Sequence, residues 1–326
     1  MQGEFATIAK YFAPLAKSAP GAEGLTNDGA VFTPRPGLGV VVTVDAMVAV
    51  VHFLPDDPPD AVGRKLLRVN LSDLEAMGAR PIGYLLVTAF PKSIDEAWVA
   101  AFVEGLAQDQ ARYDVALLGG DTVSTPGPLT LSLTAFGEAP AAKTLPRSGA
   151  RAGDEVYVSG HLGGAALGLK ALRGETPNLS EAERTDAVRR YRLPEPRLKL
   201  GQALAARGLA SAAIDVSDGL LADLGHIAET SGLAARVEAA SVPLASGLRP
   251  SGAESAEGLA MALSGGDDYE LLFTAGPDKQ QAVADLSAEL GLPLTRIGQM
   301  TAGEGVRVYD GKGQEISLTS KGWSHF

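Results

Sequence analysis

The 326-residue sequence predicts an α/β protein of two domains, each an α+β sandwich. Three observations carry this expectation. The chain is too long for one comfortable core and fits two domains of ordinary size. Apolar runs with strand character alternate with segments of helical periodicity through both halves. Between the halves, residues 144–154 (TLPRSGARAGD) gather turn formers and cations, which places the division near Ala150, with domains over 1–150 and 151–326.

In the first half, residues 39–44 are a valine-rich apolar run ending at Asp45. They are expected to form a buried strand that presents an acid at its carboxyl end. Residues 64–77 have helical periodicity, with Leu66, Val69, Asn70, Asp73 and Met77 on one face, and Gly78 and Pro81 end the helix. A strand over 84–90 and a long helix over 94–111 follow. The strand 115–118 then delivers Gly119-Gly120-Asp121, and another spans 129–136.

In the second half, a strand over 155–159 runs into Gly160-His161-Leu162-Gly163-Gly164 and an alanine-rich helix. The strand 212–216 leads through Ser217-Asp218-Gly219 into a helix over 220–230. An acidic turn at 265–270 precedes a strand over 271–274. Residues 249–258 carry few large apolar side chains and read as a loop.

Composition narrows the function. A net charge of -11 with no basic run argues against a nucleic-acid or anionic-membrane surface. Zero cysteines excludes disulfides, thiolate zinc and cysteine nucleophiles, and fits a reducing compartment. The amino-terminal residues lack the pattern of a signal peptide, and no apolar run approaches the roughly 20 residues that cross a bilayer. A cytoplasmic protein without membrane partners is expected.

The chemistry sits in five short acidic motifs: Asn27-Asp28-Gly29, Thr43-Val44-Asp45, Asn70-Leu71-Ser72-Asp73, Gly119-Gly120-Asp121-Thr122 and Ile214-Asp215-Val216-Ser217-Asp218-Gly219. Carboxylates among apolar neighbours are costly unless a cation meets them, and a hard divalent ion bound through oxygen is the common partner. Singly, each has a plain alternative: Asp28 as a turn residue, Asp45 as a strand-end cap, Asp218 as a helix N-cap. Asp73, in mid-helix beside Leu66, Val69 and Met77, has no capping role. Gly-Gly-Asp-Thr and Asp-Val-Ser-Asp-Gly place backbone amides beside carboxylates, a combination suited to Mg²⁺ and polyphosphate.

Other motifs are quieter. Gly160–Gly164 matches neither a dinucleotide fingerprint nor a P-loop and reads as a tight turn. The four histidines, at 52, 161, 226 and 325, form no metal motif; His52, beside Phe53, could contact a substrate, and His226 reads as a helix-face residue. Arg147 and Arg151 could reach a phosphate or make surface ion pairs.

Taken together, the chain resembles the thiamine-monophosphate kinase family, in the superfamily of aminoimidazole ribonucleotide synthetase and selenophosphate synthetase. The resemblance runs nearly end to end. It rests on Val51-His52-Phe53-Leu54-Pro55, Val69-Asn70-Leu71-Ser72-Asp73-Leu74, Ala76-Met77-Gly78-Ala79, Leu118-Gly119-Gly120-Asp121-Thr122, Arg147-Ser148-Gly149-Ala150, Ile214-Asp215-Val216-Ser217-Asp218-Gly219-Leu220 and the end, Gly322-Trp323-Ser324-His325-Phe326. It implies ATP-dependent phosphorylation of thiamine monophosphate to thiamine diphosphate, the last step of that cofactor's biosynthesis, in a cleft between the domains.

By the same resemblance, Asp28, Thr43, Val44, Asp45, Asp73, Asp121, Asp215 and Asp218 would hold several Mg²⁺ ions, Val44 through its backbone carbonyl. Gly120, Asp121, Arg147 and Ser217 would contact ATP, and His52, Asp267 and Trp323 the thiamine phosphate. No dedicated catalytic base is implied, because the acceptor is already a phosphate oxygen and direct in-line transfer needs none. The amino-terminal domain would bind metal and ATP and form a homodimer, and the carboxy-terminal domain would complete the ATP and substrate site.

The chain departs from the family pattern at Asn27, where an acid is common, at Val44 for Thr, at Asp267 for Glu, and at Ser124, in a region that carries Arg. Two alternatives stand beside the kinase: another ATP-dependent enzyme of the superfamily, and a non-catalytic nucleotide- or thiamine-binding regulator of the same fold. The absence of cysteine counts against a selenophosphate synthetase.

Overall fold

The computed structural model describes residues 4–176, 178–248, 256–316 and 322. The chain forms two compact units. The first comprises the chain up to Leu74 together with Ala79–Ala142, and the second comprises Glu75–Gly78 and the chain from Lys143 onward.

Along the first unit come α1 (Glu4–Thr7), β1 (Gly39–Val48), α2 (Pro59–Ala76), β2 (Arg80–Pro91), α3 (Glu96–Tyr113), β3 (Ala116–Thr125) and β4 (Thr130–Ala139). The four strands make one sheet in the order β1-β4-β2-β3. Only β2 and β3 run parallel; β4 is antiparallel to both β1 and β2. One face of this sheet is buried through Leu131, Leu133, Tyr84, Leu86 and Phe90. Helices α2 and α3 reach that face: Asn70 Oδ1 accepts from Asp45 N at 3.0 Å, and Gln110 Nε2 donates to Tyr84 Oη at 3.1 Å. Asp95 starts α3 by accepting from Trp98 N, and Asp114, left-handed at φ 55°, ends it.

The second unit contains β5 (Glu155–Ser159), α4 (Gly164–Leu172), α5 (Glu181–Arg192), α6 (Leu198–Arg207), β6 (Ala212–Asp215), α7 (Leu220–Ser231), β7 (Ala234–Glu238), α8 (Ala256–Ser264), β8 (Leu271–Ala275), α9 (Gln280–Leu290), β9 (Leu294–Thr301), β10 (Gly305–Tyr309) and β11 (Glu315–Ile316). Its sheet has seven strands in the order β11-β10-β7-β9-β5-β8-β6. Both faces are covered, as strand alternation requires. Val156, Val158, Ile214 and Leu272 pack into one core with Leu167, Leu224 and Ile227, whereas Tyr157, Ala213, Leu271 and Phe273 pack into a second with Leu200, Leu204 and Leu286. The fold is thus α/β, with helices on sheets in each unit.

Four expectations change. The run ending at Asp45 is not a buried strand: β1 continues to Val48, and Val40, Val42 and Val44 are 41%, 56% and 60% exposed while Thr43 and Asp45 turn inward. Its valines reflect β-propensity rather than burial on both faces. Gly119-Gly120-Asp121 does not follow a strand but lies inside β3, which runs on to Thr125. The helix carrying Asp73 starts earlier, at Pro59, and Met77 lies beyond its end, exposed. The loop expected over 249–258 is helical from Ala256, and residues 249–255 lie outside the described residues.

Candidate active site

The acids named from the sequence fall into three groups. In β1, Thr43 and Asp45 project toward α2, where Thr43 Oγ1 donates to Asp73 Oδ2 at 2.5 Å. Asn70, fully buried, accepts from Asp45 N and donates to Leu66 O at 2.9 Å, so its amide ties β1 to α2. Asp45 therefore lies within a strand rather than at its end. Every polar group here offers oxygen, the donor set that suits a hard cation.

Asp121 belongs to the other face of the same sheet. The register Asp121↔Val87↔Ser132↔Ala46 puts it beside the exposed valines. There it lines a cavity of about 490 Å³ with Asn27, Asp28, Gly29, Phe32 and Gly120. Gly120 is demanded by the sheet itself, because a Cβ there would sit 1.9 Å from Leu86 O. Ser124 lies further along the same strand.

The third group is in the second unit. β6 ends at Asp215, and Ser217-Asp218-Gly219 turns into α7. The N-cap of α7 is Gly219, and no side chain caps it, which removes the capping role considered for Asp218. Instead Asp223, 2% exposed in the first turn of α7, reaches back. Its Oδ2 accepts from Ser217 N, Asp218 N and Gly219 N at 3.0, 3.1 and 3.1 Å. The amides expected to approach phosphate are therefore already satisfied. Burial and the nearby Asp218 charge push the Asp223 carboxyl up to about 7.

The 265–270 turn is hydrogen-bonded to this one. Asp267 N donates to Ser217 O and Tyr269 N to Val216 O, both at 2.8 Å, and Val216 N donates to Glu270 O. These bonds hold Asp267 and Tyr269 at φ 69° and 49°, conformations that non-glycine residues adopt only under constraint. Val50, two residues before His52, is similarly strained at φ 74°. His52 is oriented by its Nδ1, which accepts from Val48 N at 3.0 Å and so makes Nε2 the protonated nitrogen of the neutral ring.

Residues not singled out from the sequence secure this turn. Glu270 forms a bidentate pair with Arg197, at 2.7 and 2.9 Å, and accepts from Ser159 Oγ at 2.5 Å. The buried Glu75, at the end of α2, accepts from Arg197 N, and burial holds its carboxyl well above the usual range. Asp268 accepts from Gly163 N at 2.5 Å and Ala165 N at 3.1 Å, capping α4. Glycine-rich Gly160–Gly164 thus has its helix-entry amides taken by the protein's own carboxylate. The acids of the 265–270 turn were visible in the sequence, but their partners are long-range.

Asp268 also gives a pH signature. Burial, opposed by the Gly163 and Ala165 amides, pushes its carboxyl up to about 7 from 3.8. The folded protein holds this proton more tightly than the unfolded chain, so the stabilisation is full below 3.8 and is lost as pH rises through about 7. Over that window the unfolding free energy of the wild-type protein is expected to fall relative to Asp268→Asn. Denaturant titrations at stepped pH check this, and parallel curves would refute it.

Arg147 is exposed and forms no ion pair among the described residues, while Arg151 N donates to Asp154 Oδ2 at 2.9 Å. Trp323 lies outside the described residues. Among those residues no three carboxylate or histidine side chains converge closely enough to form a metal cage by themselves.

Comparison with known proteins matches this architecture. Residues 26–139 match the AIR synthase related protein N-terminal domain, and 151–311 the corresponding C-terminal domain. Fold and acidic turns thus define a two-domain protein of the AIR synthase related class. The thiamine-monophosphate kinase of Caulobacter vibrioides is 45% identical over 99% of this chain and 90% of its own, and that of Salmonella typhimurium 42% over 99% and 98%. The crystal structure of the Stenotrophomonas maltophilia thiamine-monophosphate kinase superposes with a TM-score of 0.83 at 40% identity, covering 94% of this chain and 98% of the other. The AaThiL structure complexed with AMPPCP and TMP gives 0.77 at 30%, covering 99% and 97%. The chain belongs to the thiamine-monophosphate kinase family. Hydrogenase maturation protein HypE, at 18% identity and a TM-score of 0.78 over 98% of this chain and 96% of its own, shares the fold.

Proposed function

We propose that this protein transfers the γ-phosphoryl group of ATP to thiamine monophosphate, giving thiamine diphosphate and ADP. The observation that carries the reading is 45% identity with a thiamine-monophosphate kinase over 99% of the chain. The first domain, 1–150, is proposed to bind metal and ATP through Asp28, Thr43, Val44, Asp45, Asp73, Gly120, Asp121 and Arg147. The second, 151–326, is proposed to add Asp215, Ser217, Asp218, Asp267 and Trp323, with His52 of the first also meeting the thiamine phosphate.

The oxygen-only character of Thr43, Asp45 and Asp73 supports Mg²⁺ over a softer metal. Mg²⁺, when bound, supplies neutralisation of the phosphate charges. Around it the residues orient and screen: Arg147 offers a guanidinium with no ion pair among the described residues, and His52 presents an Nε2–H donor. Phosphate attacks directly, without a protein base. Incubation with ATP, Mg²⁺ and thiamine monophosphate is expected to yield thiamine diphosphate and ADP in equal amounts by mass. ADP alone would indicate another acceptor, and nucleotide binding without product would favour a regulator.

A homodimer through the first unit is part of the proposal. Val40, Val42, Val44, Val87 and Val123, between 41% and 60% exposed, share one sheet face, an apolar surface unusual for a monomer. Val42→Glu is expected to leave the fold intact and halve the mass measured by light scattering; an unchanged dimer would exclude this face. No helix among the described residues is long and apolar enough to cross a membrane. Together with the absence of cysteine, this supports a cytoplasmic location.

A further inference from the structure

A strand-to-helix turn ending in Ser217-Asp218-Gly219 would ordinarily leave three amides pointing into one concavity, a nest for an external anion. Here one oxygen of Asp223 fills it, accepting all three at 3.0 to 3.1 Å. The carboxylate is also returned toward its own turn by the helical bond from Asp223 N to Gly219 O at 3.0 Å. With the amides turned inward, the Ser217 hydroxyl and the Asp218 carboxylate make no hydrogen bond among the described residues. Both side chains are only partly buried.

The same turn supports a second one. Ser217 O and Val216 O accept from Asp267 N and Tyr269 N, and these bonds sustain the left-handed Asp267 and Tyr269. Whatever fixes residues 216–219 therefore also fixes the backbone that presents Asp267.

We infer that Asp223 is a positioning residue for phosphoryl transfer: it locks the Ser217-Asp218-Gly219 turn, and through it the Asp267 turn, so that Asp218 and Asp267 are held ready for metal and substrate. The inference rests on the kinase reading for its chemistry, while the turn geometry stands independently. The Asp223 carboxyl meets the three backbone amides of the turn, so its proposed action is through the backbone. A residue needed merely for stability would lower the melting temperature and leave ligand dependence unchanged.

The test compares the full-length protein with Asp223→Ala and Asp223→Asn. Three measurements are made: hydrogen exchange at residues 217–219, Mg·AMPPCP affinity by calorimetry, and initial rates with ATP and thiamine monophosphate. Three lost hydrogen bonds are expected to speed exchange and to weaken Mg·AMPPCP binding roughly tenfold or more in Asp223→Ala. The KM for thiamine monophosphate should rise as well, with far-UV circular dichroism retained. Asp223→Asn keeps an acceptor oxygen in place and should restore most of the loss.

Unchanged exchange, or faster exchange with wild-type affinity and KM, would overturn the inference. Failure of Asp223→Asn to rescue would overturn it too. Should Asp223→Ala not fold, Asp223→Ser, whose hydroxyl is too short to reach the three amides, is judged by the same outcomes. A wild-type protein that binds Mg·AMPPCP but makes no thiamine diphosphate would sink the kinase reading alone, because exchange and nucleotide affinity still decide the role of Asp223.

Discussion

Asp73→Asn is expected to fold normally and to lose Mg²⁺-dependent turnover by roughly a hundredfold to a thousandfold, the scale of removing one well-placed electrostatic group. The asparagine keeps an oxygen for Thr43 Oγ1, whose bond to Asp73 Oδ2 is 2.5 Å long, so the link between β1 and α2 survives. What disappears is the charge. Asp73 stands in the last turn of α2 rather than in mid-helix, an end of the helix that its dipole makes unfavourable for an acid, and lies between the buried Leu66, Val69, Ser72 and Leu74. Steady-state rates over a Mg²⁺ titration check the result, and near-normal activity would remove Asp73 from the site. Thr43→Val is the useful companion, since it removes the donor while leaving the carboxylate charged.

Asp109→Ala is expected to destabilise the first unit by about 3–5 kcal/mol, the cost of leaving a buried charge without its partner. Asp109 is wholly buried and accepts from Arg68 at 2.5 and 2.9 Å and from Arg64 at 3.2 Å. Arg68 is itself 1% exposed, so water cannot replace the lost carboxylate. Urea unfolding monitored by circular dichroism gives the difference, and a wild-type midpoint would refute it. Replacing the pair together, Arg68→Met with Asp109→Leu, is expected to recover most of the loss, because desolvating both ions costs nearly as much as their attraction returns. The pair ties α2, which carries Asn70 and Asp73, to α3.

How much of this was legible in the sequence depends on the range of the interaction. The strands and helices named from the sequence had cores within a few residues of the expected spans, because side-chain periodicity is local, whereas α5, α6, α9, β7, β9, β10 and β11 had not been named. Residues 155–159 emerged as β5 with the same ends. The acids could be named because Asp beside glycine, or Asp73 within an apolar helix face, is unusual in itself. Their grouping could not be named. Asp45 and Asp121 look equivalent along the chain, yet sheet register sends them to opposite faces.

The valines of β1 read as core because composition does not distinguish a strand buried on both faces from one that keeps an apolar face open. Only the pairing with β4 and the exposure of Val42 and Val44 separate these cases. Arg68 and Asp109, 41 residues apart, and Asp268 and Gly163, 105 apart, carry no mutual signal in one sequence. Asp223 is nearer to its turn, but it reads as an ordinary first-turn acid until its oxygen is seen to gather three amides.

The sequence by itself determined the α/β class, the two-part organisation of apolar pattern and the inventory of candidate oxygen ligands, since these follow from local periodicity and residue chemistry. Tertiary structure alone decided which acids share a face, which amides remain available and which charges are paired. Those properties depend on distances between residues far apart in the chain, and such distances exist only once the sheets have formed.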